Sequence, residues 1–138
     1  MSTFHLYTNA GLTVLFSGTL TVNQNIDGSS GPVDQQLWIG STATGKTLQA
    51  DSNPGVDQIV MSVTDSAPGS GNPASDVKLA LTQGGLAGAT GGASLNLGTT
   101  ILSLVANAVT FWVRVEDSTH VVGLSTELQF TTNLTRET

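Results

Sequence analysis

The residues Gly40-Ser41-Thr42-Ala43-Thr44-Gly45-Lys46-Thr47 fit G-x-x-x-x-G-K-T, the pattern of a loop whose amides and lysine hold nucleotide phosphates. That chemistry needs a helix opening at the lysine, so that its free N–H groups and dipole face the anion. Here Leu48-Gln49-Ala50-Asp51-Ser52 runs straight into Asn53-Pro54-Gly55. Proline and glycine end any helix after about two turns. The favoured reading is a hairpin turn with a solvated Lys46.

Metal and catalytic chemistry are represented only in fragments. Asp51, Asn53 and Asp57 lie close in sequence, as do Glu116 and Asp117. Calcium favours such oxygens, but no D-x-D-x-D-G run is present. Turn-forming and amide-capping roles for Asp and Asn are the simpler expectation. Zinc would have only His5 and His120 and no cysteine. His120 follows Asp117 and Ser118, the residue types of a nucleophilic triad, yet no G-x-S-x-G elbow exists. A pair of carboxylates for glycoside hydrolysis could be drawn from the ten acids. The aromatic platform of a sugar cleft would then depend on Trp38, Trp112 and Tyr7. No catalytic residue, metal or cofactor is expected.

The elements that would position these residues read as strands. Alternating β-branched and aromatic residues are separated by Gly, Pro, Asn, Asp and Ser clusters. Residues 4–8 and 12–17 suggest two strands around an Asn9-Ala10-Gly11 loop, continued over 19–23 past a bulge at Gly18. Residues 35–39 follow, with Leu37 and Ile39 on one face. Residues 56–64 place Ile59, Met61 and Val63 together, and 77–82 turn Val77, Leu79 and Leu81 inward. Residues 84–93 hold five glycines and read as a flexible or tightly bent excursion. Weaker strands are expected at 95–97 and 100–104. Residues 108–116 put Val109, Phe111, Val113 and Val115 on one face, with Trp112, Arg114 and Glu116 on the other. Residues 127–132 would close an antiparallel hairpin with them, Leu128 and Phe130 pointing inward. The whole is an all-β, antiparallel sandwich of about seven to nine short strands, immunoglobulin-like or jelly-roll-like, in one domain over 1–138. Residues 1–8 are a candidate N-terminal arm and 133–138 a candidate tail.

Composition narrows the function classes. A chain of 138 residues can bury one real core without disulfides or metals. Only 10% of its residues are charged, so Ser, Thr, Asn, Gln and Gly must cover much of the surface. Such a surface suits packing, because ordering it costs little side-chain entropy. The net charge is −6, with Lys46, Lys78, Arg114 and Arg136 the four basic residues. They cannot neutralise a run of phosphates, which argues against nucleic acid as a partner. An anionic membrane surface would repel the chain. The first residues lack a basic stretch followed by an apolar one, which predicts synthesis and folding in the cytoplasm. The sequon Asn133-Leu134-Thr135 matters only in a secretory pathway.

Two resemblances follow from these residues. Thr110-Phe111-Trp112-Val113-Arg114-Val115-Glu116-Asp117, a loop and then residues 126–132 resemble the last two strands of immunoglobulin-like and fibronectin-like sandwiches. The short acidic chain without cysteine, with Gly/Ser/Thr/Asn-rich loops, resembles the small structural proteins of tailed bacteriophages. This second likeness lies in texture over most of the chain, and transfers no site residue by position. It implies a non-enzymatic capsid decoration (cement) protein on the exterior of the virion. Its partners would be the major capsid protein or other virion proteins, and it would form a homo-oligomer, often a trimer in that group. A tail, neck or baseplate component is the alternative, with 84–93 reaching a neighbour. A carbohydrate-binding or adhesion module using Trp112 or Trp38 is a reading of another class. Trp112 and Arg114, together with Phe4 and Tyr7 on the candidate arm, are the expected interface residues.

Overall fold

A computed structural model describes residues 2–18, 22–25, 27, 29–119 and 126–138. Among them the chain is all-β, with ten strands in three antiparallel sheets, as in a β-sandwich. The largest sheet is ordered β1-β2-β8-β5, from His5–Tyr7, Val33–Gly40, Val109–Val115 and Val77–Ala80. A second is ordered β10-β3-β7, from Thr135–Glu137, Thr47–Ala50 and Thr100–Leu102. The third is ordered β6-β4-β9, from Leu95–Asn96, Val60–Asp65 and Leu128–Thr132.

The period-two pattern builds the core. Leu37 of β2 faces Phe111 of β8, and Leu79 of β5 faces Val113. All four are buried and meet Leu48, Met61, Val63 and Ile101 from the other two sheets in one apolar cluster. Edge-on contact between Phe111 and Phe130 of β9, with ring centroids 6.5 Å apart, joins the first sheet to the third.

Several expected elements are placed differently. β8 and β9 form no hairpin: β8 pairs with β2 and β5, while β9 pairs with β4 in another sheet. Residues 12–17 make no strand beyond a bridge from Leu15 to Tyr7. The Asn9 carboxamide oxygen accepts the N–H groups of Thr13 and Val14, and Leu12 is buried with a left-handed φ of 52°. The side-chain-built turn joins two segments whose pairing is short: the Thr8 N–H donates to the Val14 carbonyl and the Phe16 N–H to the Leu6 carbonyl on either side of the bridge. Of 19–23, Thr19, Leu20 and Thr21 lie outside the described residues, and Val22 and Asn23 are not in a strand. Val56 is an exposed turn residue whose N–H donates to the Asn53 carbonyl, so the strand begins only at Val60. Leu81 is exposed because β5 ends at Ala80, where Thr82 starts a turn that takes the Gly85 N–H.

The glycine-rich stretch 84–93 is tightly bent and anchored at Leu86 and Gly92, while most of its residues are exposed. It opens with a 3-10 turn over Gly84–Gly88 that buries Leu86 completely. The Gly92 N–H donates to the Val77 carbonyl. At Gly91 a Cβ would stand 1.9 Å from the Ser75 carbonyl oxygen. Gly91→Ala must therefore displace backbone, and we expect it to cost about 1–3 kcal/mol, read as a lower urea midpoint.

The two chain ends are held together as well. β1 pairs with β2 over His5–Tyr7, and β10 pairs with β3 over Thr135–Glu137. Glu137 accepts hydrogen bonds from the Thr3 N–H, the Thr3 hydroxyl and the Ser2 hydroxyl, at 2.6, 2.9 and 3.0 Å. Neither candidate arm hangs free among the described residues. The Thr3 amide, with the two hydroxyls, holds the Glu137 carboxyl below its ordinary value. Its contribution to stability is then complete above the ordinary carboxylate pKa and is lost as pH falls through the lowered value. Urea titrations of the parent and Glu137→Gln should differ at neutral pH and converge in acid.

Candidate interaction surface

Three amides of the phosphate-loop pattern are engaged within the fold. The Ala43 N–H donates to the Ser41 hydroxyl, the Lys46 N–H to the Ser103 hydroxyl and the Thr47 N–H to the Thr138 carbonyl. Thr47 opens β3 rather than a helix, because it pairs with the C-terminal residue in both directions. Lys46 is exposed, as expected, but the turn joins two different sheets and is not a hairpin.

The other chemical candidates are also accounted for. Asp51 pairs with Arg136 at 2.9 Å, and Asp57 accepts from the Ser52 hydroxyl. Among the described residues no three His, Cys, Asp or Glu side chains are grouped to hold a metal ion. His120 lies outside the described residues. Ser118 donates to Asp76, and Asp117 accepts from Asn72 and Thr119, so both residues fasten their own loop. His5 is exposed with its ring edge-on to Tyr7. The Asn133 amide of the sequon donates to the Gln58 carbonyl, and its oxygen accepts from the Val60 N–H. One cleft among the described residues, about 370 Å³, is lined by Gln24, Asn25, Ser30, Gly31, Glu116, Asp117 and Ser118.

The expected interface residues divide. Phe4 and Tyr7 are 7% and 6% exposed and offer no contact surface. Phe4 belongs to the core, and Tyr7 sits within the sheet between Trp38 and Leu15 rather than on an arm. Trp112 and Arg114 lie on the outer face of the large sheet and are half-buried. Cross-strand register sets Tyr7, Trp38 and Thr110 in one row, Gln36, Trp112 and Ala80 in the next, and Asp34, Arg114 and Lys78 in a third. Arg114 forks onto Asp34 with N–O distances of 2.7 and 3.0 Å. That fork, aided by Gln83, holds Asp34 below the usual carboxylate range against the opposing effect of burial. Arg114 is therefore a fixed strut on its own sheet.

A surface not singled out from the sequence stands at the Lys46 end of the sandwich. Leu102, Leu104 and Val105 are 52%, 47% and 46% exposed, while Ser103 between them is buried. The Ser103 N–H donates to the Lys46 carbonyl, its own carbonyl accepts from the Asn107 amide, and the Leu104 N–H donates to the Ser41 carbonyl. Leu104 has φ 77° and ψ 150°, a region that glycine alone adopts without strain. Three apolar side chains are thus presented on backbone that has little freedom to move. The signal was present in the alternation: Ile101 and Ser103 share the inward face, which turns Leu102 and Leu104 outward.

Set against protein-family models, curated proteins and solved structures, the chain matches none. No helix among the described residues is long and apolar enough to cross a membrane.

Proposed function

We propose that this chain is a non-enzymatic structural protein of a phage particle, a capsid decoration protein that packs on the major capsid protein. The observation that carries the reading is the fixed turn bearing exposed Leu102, Leu104 and Val105. Apolar groups held in place before contact lose little entropy on binding. They are also the kind of centre around which a polar rim excludes water. Ser, Thr, Asn and Gln supply such a rim on a chain with only 10% charged residues. On a symmetric shell, several modest contacts by a homo-oligomer, a trimer in this proposal, would reinforce one another through effective concentration. The amides of Ala43, Lys46 and Thr47, engaged within the protein, support a role without nucleotide chemistry.

Immunogold electron microscopy of virions from the source of the chain tests the proposal. Even labelling over the head is the expected result. Labelling confined to the neck or tail would replace the decoration role with that of a tail component. Absence of label on any virion would overturn the virion assignment and make glycan binding the next assay.

A further inference from the structure

We draw no further inference here: the strongest candidate, the outer face of the four-stranded sheet where Gln36, Trp38, Thr110 and Trp112 stand half-buried side by side, is an unpartnered sheet face, and nothing in the structure shows what covers it.

Discussion

Phe111→Ala is expected to remove about 3–5 kcal/mol of stability. Phe111 is fully buried in the middle of β8, opposite Leu37, and its ring meets Phe130, which in turn lies 6.1 Å from Phe16. The truncation would empty the contact between the largest sheet and the third one. Small domains carry only about 5–15 kcal/mol in total, so the variant should approach unfolding under mild conditions. Urea unfolding followed by far-UV circular dichroism measures the change. A loss under about 1 kcal/mol, well below the range for a buried aromatic, would mean that Phe111 does not join the layers as described.

Asp76 is the second site of large effect. It is 6% exposed and accepts hydrogen bonds from the Asn72 amide, the Ser118 N–H and the Ser118 hydroxyl. Its own backbone carbonyl accepts from the Glu116 N–H. Asp76→Ala keeps that backbone bond and removes the acceptor of the Asn72 amide, the Ser118 N–H and the Ser118 hydroxyl. Ser118 is exposed and can rehydrate, and the Asn72 amide keeps Asp117 as an acceptor. The cost is therefore chiefly that of hydrogen bonds lost to a charged acceptor, about 1.5–3 kcal/mol each before rehydration, and we expect a total of about 2–4 kcal/mol. Hydrogen exchange at Ser118 should accelerate beyond the global change. Asp57→Ala serves as the control, since Asp57 is exposed and accepts only from the Ser52 hydroxyl among its described contacts. A surface change of that kind should stay within about 0.5 kcal/mol. Equal effects of the two substitutions would remove Asp76 from the structural role assigned to it.

The inward faces of the strands were legible because alternation is local. Leu37 and Ile39, then Ile59, Met61 and Val63, then Phe111 and Val113, recur at every second position and are all buried. Strand partners were not legible, because pairing is decided by residues far apart in sequence. The stretch after β8 looked like the return arm of a hairpin, yet β9 crosses to β4. Two strands went unseen for want of apolar pattern. Thr47–Ala50 offers Leu48 and Ala50 behind a Gly-Lys turn, and Thr135–Glu137 has no apolar residue at all. Backbone pairing with each other makes them strands. The same limit hid the buried state of Phe4 and Tyr7, since a terminal segment reveals nothing of what lies across it. At 102–105 the strand expected over 100–104 carried no assigned inward face, and the small Ser103 is the residue that fits inside.

The role of the apolar turn is tested most directly by sedimenting purified chain with capsids that lack it, comparing the parent with Leu104→Gly. Glycine relieves the strained backbone at φ 77°, so the variant should be as stable as the parent or more stable by about 1 kcal/mol, after glycine's own entropy cost. Loss of an exposed anchoring side chain should weaken shell binding by about tenfold or more. Binding by the parent, with that loss in a variant of undiminished stability, is the predicted result. Equal binding by both proteins, or no binding by the parent, would contradict the account.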